Sequence, residues 1–511
     1  MTRPMTQAER FKSAMAPITT PFSMPAPFGG WNTRDALDEM PATDAITLDN
    51  WYPDYAGCAV RNGFTQFATG VDSSPIKTLA EYNAGSTRKF IATAGGKFYD
   101  ISAGGSAGAP LASGFSSDAW QIVPFLSKLF LCNGLDTMQV FDGTSVANTN
   151  FTSSGSLAFI GCVQYQQRLF FWLPNSTGFY FAPLNSISGS LSFYDLAAFA
   201  PHGGNLVAAV TYSHDGGNGV VDFIAFIVSS GDCLVYFGND PSNINAWSLA
   251  GIYRISPPVS PRGVCQYGAE AFITTYDDHI PLQQQLVALK LGQLPPRSKV
   301  STAVQNAVRA NLNGFGWQAL YYPRGRRLIF NIPNPDGTFS QHIQNTALQA
   351  QPWCRFTNMN AYCWGLYRDN LYFGAAGGIV YQADSGNLDN IGPVTADARQ
   401  AWNTFADPMR KRITAVRPMV EAVSGESISF GLGFDYGDIN IAVSPTTASA
   451  GSPWDTSPWD ISPWSPDATV DPRWRVAGGT GQAIGMRMTA SANAPTLWLR
   501  TDFRFEQGVG L

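Results

Sequence analysis

Short apolar runs separated by tight polar turns dominate the middle of the chain. The unit is an apolar strand, a Gly/Asn/Asp turn and a second apolar strand. It is clearest at Lys89–Asp100 (KFIATAGGKFYD) and at Leu371–Ala383 (LYFGAAGGIVYQA). Gly-Gly tolerates the positive φ angles that a two-residue hairpin turn demands, so both segments are expected to be β-hairpins. Looser versions lie between them at Lys128–Gly143, Arg168–Pro183, Asp222–Gly238, Glu270–Pro281 and Arg327–Ile343. The steps are roughly 40 to 55 residues, the spacing of blades in a β-propeller.

One segment breaks the pattern. In Ser301–Ala310, Val304, Ala307 and Val308 fall at helical spacing, and Ser301 or Thr302 is placed to cap the first turn. This predicts a short helix between blades, held by tertiary contacts. Beyond 393 the character shifts to longer alternating runs at Ile413–Glu421, Ser427–Phe434, Met486–Met488 and Thr496–Phe505. The expected architecture is mainly β: a propeller of about 6 to 8 blades, a C-terminal β-sandwich-like module and few short helices. The expected divisions are an extended arm over 1–24, an N-terminal β segment over 25–75, the propeller over 76–392 and the β module over 393–511.

Composition sharpens this. Charged residues make up 14% of the 511 residues, against about 25% in ordinary soluble domains. Such a surface suits a chain that buries much of itself against other subunits. The formal net charge is -5 and no Lys/Arg run stands out, which argues against tight nucleic-acid binding. The seven cysteines include no C-x-x-C pair and several sit in apolar strands, as in LFLCNG around Cys132. They read as buried free thiols of a protein assembled in a reducing cytosol. The longest apolar stretch, near Val220–Val228, is too short to span a bilayer and contains Asp222. The first 24 residues lack an apolar signal core, so no signal peptide and no membrane insertion are expected.

Candidate chemistry is sparse, and no catalytic, cofactor or metal constellation is expected. Gly478-Gly479-Thr480-Gly481-Gln482-Ala483-Ile484-Gly485 is Gly-rich but lacks the Lys-Ser/Thr of a phosphate loop. Asp277-Asp278-His279 could be metal ligands or an acid/base pair, but falls where a blade turn belongs and reads as a solvated turn. Asp435, Asp438 and Asn440 around Gly437 lack EF-hand spacing and also read as a turn. The oddest stretch repeats Ser-Pro-Trp three times with period five, at Ser452, Ser457 and Ser462. That period fits neither strand nor helix, so a chain of proline turns is expected, each presenting one of Trp454, Trp459 and Trp464. These pack onto the module or a neighbouring subunit; the competing reading is a sugar-stacking platform on a glycan-binding propeller used in host recognition. A cellular scaffold of the WD-like kind is a third possibility, although the blade-spaced WD signature is absent.

The segment Ala26–Arg34 (APFGGWNTR), then Asp44–Pro53 (DAITLDNWYP) and Val60–Phe64 (VRNGF), resembles the N-terminus of short-tailed bacteriophage structural proteins, the tail nozzle or tail hub family. Val300–Val308 resembles the inter-blade helix of these proteins. Trp353–Phe356 with Leu371–Gly374 and Gly377–Tyr381 resembles their last blade, and Phe503–Gly508 their aromatic-Glu-x-Gly ending. The patches bracket most of the chain. The resemblance implies a non-enzymatic virion tail protein, assembled in the host cytoplasm as a homo-hexameric ring. Such rings sit below the adaptor (head-to-tail connector) protein, carry a tail fibre or needle protein, and touch genomic DNA transiently and non-specifically. It marks Gly29, Gly30, Trp31, Asn32, Asp49, Asn50, Trp51, Pro53, Arg61 and Gly63 as the assembly or structural motif. In this family the channel runs between six subunits, not through each propeller.

Overall fold

The computed structural model describes residues 19–215, 220–422, 427–439, 441, 469–470 and 473–507. The chain divides into two compact units: residues 1–61 with 391–511, and residues 62–390. The second unit is thus inserted into the first along the sequence.

The 62–390 unit is a β-propeller with seven blades among the described residues. Blade 1 runs through Thr78–Ala84, Thr87–Ala94, Lys97–Asp100 and Ala112–Ser113; blade 2 through Gln121–Phe125, Lys128–Cys132, Gln139–Phe141 and Val146–Asn148. Blade 3 comprises Gly161–Tyr165, Arg168–Trp172, Phe179–Phe181 and Ser192–Tyr194; blade 4 comprises Leu206–Asp215, Val220–Val228, Asp232–Gly238 and Trp247–Arg254. Blade 5 has three strands, Val264–Tyr267, Glu270–Thr274 and His279–Pro281. Blade 6 has Gln318–Tyr322, Arg327–Pro333, Phe339–Asn345 and Trp353–Phe356. Blade 7 has Cys363–Tyr367, Asn370–Gly374 and Val380–Ala383, and takes its outer strand, Phe64–Thr69, from before blade 1. That strand closes the ring. It was expected in the separate segment 25–75, which the structure divides between the two units. The first strand of each blade is innermost; from blade 2 round to blade 7 and on to blade 1 each lies against the next, and the first strand of blade 1 lies against the second strand of blade 2.

The seven hairpins read from the sequence are the second and third strands of the seven blades. The two Gly-Gly pairs, however, differ. Ala94 pairs with Lys97, so Gly95 and Gly96, with φ of 61° and 69°, form the expected two-residue turn. Gly374 instead pairs with Val380, so Gly377 and Gly378 lie in a longer loop with a 3-10 turn over Ala376–Gly378. Its path is set by the chain entering blade 1: a Cβ on Gly378 would lie 1.9 Å from the Asp72 carbonyl oxygen. Gly95 packs on the same residue, where a Cβ would lie 2.6 Å from the Asp72 carboxylate. Asp72 therefore joins the first and last blades. Its pKa is lowered to about 2 by the Ser74 backbone N–H and by Lys97, whose ammonium is 3.1 Å away.

The core lies between neighbouring blades. Phe170, Phe226, Tyr236 and Trp247 fill the space between blades 3 and 4. Phe90 and Tyr99 of blade 1 meet Tyr367 and Tyr372 of blade 7, with the Phe90 and Tyr367 rings stacked, 2° between planes and 4.8 Å between centroids. Burying one such ring contributes roughly 1.5–3 kcal/mol. Two helices bridge blades 5 and 6: α1 (Leu282–Lys290) and α2 (Ser301–Asn311). The second is the predicted helix, burying Val304 and Val308. Its cap differs from expectation: Val300 occupies the N-cap and no side chain caps it.

The other unit has two groups of paired strands. In the first, Thr496–Gln507 pairs along one edge with Lys411–Ala422 and along the other with Thr19–Pro25 and Gly57–Val60. Residues 19–24, expected to be part of an extended arm, are thus fixed in a sheet. In the second, Gly392–Gln400 lies between Asp44–Asp49 and Ile484–Ala492, and the latter also pairs with Ser427–Phe434.

Candidate functional site

Most residues of the phage-like motif are buried, and the stretch Asp44–Asp49 within it pairs with the strand Gly392–Gln400. Asn32 donates from Nδ2 to Asp44 Oδ2 at 2.8 Å and to Asp35 Oδ2 at 2.8 Å, while its Oδ1 accepts the backbone N–H groups of Arg34 and Asp35. The approach demands glycine at 29, where a Cβ would lie 2.2 Å from Asp44 Oδ1. Gly30 then turns with φ of 92°, and Trp31 donates its indole N–H to the Ile46 carbonyl at 3.1 Å. Asn50 has φ of 59°, a left-handed conformation that asparagine accepts more readily than most residues. Its Nδ2 donates to the Thr395 carbonyl at 2.7 Å, and its Oδ1 accepts from Arg61 Nε at 2.8 Å. Arg61 and Asn50 are both buried, so each satisfies a group the other would leave costly.

Asp49 sits opposite Asp397 in the sheet, Pro53 opposite Cys58 in a hairpin, and Trp51 packs edge-on against Trp498 at 5.9 Å. Gly63 falls in the propeller unit, accepting from Ser385 N–H and donating to the Gly386 carbonyl. The motif is therefore a folding frame more than an exposed surface. Trp454, Trp459 and Trp464 lie outside the described residues, as does Asn440.

Of Asp277-Asp278-His279, Asp277 lies exposed in the bend between two strands of blade 5, as expected, whereas the other two are not solvated. Asp278 and His279 are 4% and 1% exposed. Asp278 accepts from the Ser298 backbone N–H at 2.7 Å, from the Ser298 hydroxyl and from the His279 backbone N–H at 2.8 Å. Burial nevertheless pushes its carboxyl up. His279 of blade 5 meets His342 of blade 6, Nε2 to Nδ1 at 3.1 Å, and stacks between Phe330 and Trp353. Burial drives both imidazoles down, His342 to about 3, and keeps them neutral. This is an inter-blade joint. Among the described residues no group of three His, Cys, Asp or Glu side chains could hold a metal ion. None of the seven cysteines is in a disulfide; burial pushes Cys233, Cys265 and Cys363 up to about 12, which removes the thiolate a nucleophile needs.

The propeller axis is the second concave surface. A cavity of about 340 Å³ is lined by the inner strands of blades 1, 2, 5, 6 and 7, with Glu81, Gln121, Arg262 and Gln318 as its longest polar side chains. A neighbouring one of about 430 Å³ beside blades 2 to 5 carries Gln164, Gln166, Gln266, Ser213 and Asp222. The axis is thus walled mainly by neutral amides. Glu81 and Asp222 are its carboxylates, and Arg262 is its guanidinium. It donates to the Lys77 carbonyl at 2.8 Å and to Gln318 Oε1 at 3.3 Å, and burial lowers its pKa. Nothing local in Pro261-Arg262-Gly263 marks this role; the signal would have been a lone arginine just before an inner strand.

No protein-family model matches the chain, and no curated protein does. Among solved structures it is similar to YCF48 bound to a D1 peptide, at 9% identity over 68% of this chain and 99% of that one, with a TM-score of 0.40. It is also similar to BBS1N in complex with ARL6DN, at 9% identity over 64% of this chain and 98% of that one, TM-score 0.36. A third is PorZ, a surface component of the type-IX secretion system of Porphyromonas gingivalis, at 10% identity over 70% of this chain and 44% of that one, TM-score 0.36. The blade count rests on the strand pairing of this chain itself.

Proposed function

We propose that this chain is a non-enzymatic structural subunit of a short-tailed phage virion. Six copies build the tail nozzle or hub ring that closes the DNA channel and conducts DNA during ejection. The adaptor protein binds on one side and a fibre or needle protein on another. The observation that carries the reading is the fate of the phage-like motif. Asn32, Asp44, Asn50 and Arg61, scattered over the N-terminal segment, make buried hydrogen bonds that fix this segment within one unit. A family signature that survives as a folding frame behaves in this way.

Two further features support it. The same unit exposes large apolar side chains, Tyr55 at 77%, Ile391 at 90% and Val476 at 91%, which suit contacts with neighbouring copies. The low charge of the chain fits a surface covered in an assembly. Negative-stain microscopy of the purified chain tests the assembly. Closed six-membered rings are expected; isolated single propellers at all protein concentrations would refute the ring.

A further inference from the structure

We propose that the Arg262 end of the propeller axis is a binding site for a small oxyanion, a carboxylate or a phosphate. This does not rest on the virion reading, which gives each propeller only a body role. Three observations converge on it.

The first is an excess of donors. A guanidinium carries five N–H groups. Arg262 directs one to the Lys77 carbonyl and one to Gln318 Oε1, and lines the cavity of about 340 Å³. Gln121 lines the same cavity, and its Nε2 is buried with no partner. The donors thus outnumber the acceptors offered to them.

The second is uncompensated charge. The Arg262 guanidinium lies 5.8 Å from the Phe315 ring centre and the Lys77 ammonium 5.3 Å from the same ring. Among the described residues neither cation is within ion-pair distance of a carboxylate, although Asp118 attracts the Lys77 ammonium at longer range and leaves Arg262 the less compensated of the two. The one carboxylate on the cavity wall, Glu81, is engaged elsewhere, accepting the Arg368 backbone N–H at 3.3 Å. Two cations sharing one ring repel each other, and water supplies acceptors but no charge. An oxyanion supplies both, and the planar guanidinium matches it in two-point geometry.

The third is space and setting. The cavity is larger than a lone phosphate needs, so it admits an oxyanion carried on a small organic acid. The rest of the axis is mainly neutral amide with the carboxylates Glu81 and Asp222, which leaves Arg262 as the point where a negative charge is recognised.

The full chain is titrated with inorganic phosphate and separately with succinate, at ionic strength held constant with sodium chloride. The readouts are 31P line broadening for phosphate, saturation-transfer NMR for succinate, and the melting temperature for both. Saturable binding of at least one anion is expected, and which one binds separates the phosphate source from the carboxylate source. Arg262→Gln should weaken it by about tenfold or more, and Arg262→Lys by less, because charge stays while the fork is lost. No saturable binding of either anion, or equal affinity in a folded R262Q chain, overturns the proposal. If R262Q does not fold by circular dichroism, Gln121→Leu decides: a several-fold loss supports the site, and unchanged affinity overturns it.

Discussion

Two inter-blade joints of the propeller and two strand pairs of the unit around the chain termini are tied by different side chains, although each unit holds both ion pairs and aromatic contacts. Where blade 7 meets blade 1, the joint is aromatic: Phe90, Phe67, Tyr367 and Tyr372 pack ring to ring. Where blade 5 meets blade 6, it is two neutral histidines between Phe330 and Trp353. In the other unit, neighbouring strands are tied by charge. Arg417 reaches Asp502 at 2.7 Å, and Arg487 reaches Asp397 at 2.6 Å. A ring of wedge-shaped blades needs apolar filling between sheets, whereas long strands paired edge to edge leave room for cross-strand ion pairs. The lesson is that the two units should fail under different conditions.

The largest expected effect is at the ring closure. Phe90→Ala removes a fully buried ring from the joint and should cost about 3–5 kcal/mol. Urea unfolding should show it as a fall in the midpoint of the propeller transition; a loss under 1 kcal/mol would mean that closure does not depend on this packing.

Acid should come next, and selectively against the propeller. His279 and His342 are held well below the ordinary histidine value, so the unfolded chain takes up protons that the folded ring does not. Their stabilising contribution is complete above the unfolded pKa of about 6.5 and falls as pH drops below it, toward the folded values, at about 1.4 kcal/mol per pH unit for each histidine. Unfolding free energies measured from pH 7.5 down to pH 5 should show this slope, and His342→Gln should flatten it. An unaltered slope in that variant would remove the joint from the account.

The smallest effect belongs to the charged unit. Asp502 is 5% exposed. Burial pushes its carboxyl up, but the Ser23 hydroxyl at 2.6 Å and the guanidinium groups of Arg417 and Arg500 outweigh this and hold it below the usual carboxylate range. Its contribution is therefore present above about pH 4 and lost only as pH falls through the lower folded value. Asp502→Asn should cost about 2 kcal/mol at pH 7 and much less near pH 2. Equal costs at both pH values would show that the carboxylate charge is not what matters.

Much of the propeller was legible because each blade carries a local signal, two apolar runs flanking a Gly/Asn/Asp turn. What stayed hidden depends on partners distant in sequence. Phe64–Thr69 reads as an ordinary short strand, and only its pairing with Val380–Ala383 makes it the closure. The same composition gave Gly95-Gly96 and Gly377-Gly378 the same expected turn; register, fixed by the chain around Asp72, separates them. Helix α1 was missed although Leu282, Leu286 and Leu289 have helical spacing, because the run sits directly after a strand that ends at Pro281. Asp278 and His279 looked like turn residues, and their burial comes from Ser298 and from blade 6. Asn32, Asn50 and Arg61 stood out in the sequence, but the hydrogen bonds to Thr395 and within the Asn32–Asp44 and Asn50–Arg61 pairs were not legible there.

The most direct test of the functional account is where the protein sits. Particles produced by the genome that encodes this chain would be labelled with gold-conjugated antibody against it and viewed by electron microscopy. The account predicts gold at one site per particle, on the short tail below the head. Label spread over the head, or intact tailed particles with no label, would contradict it.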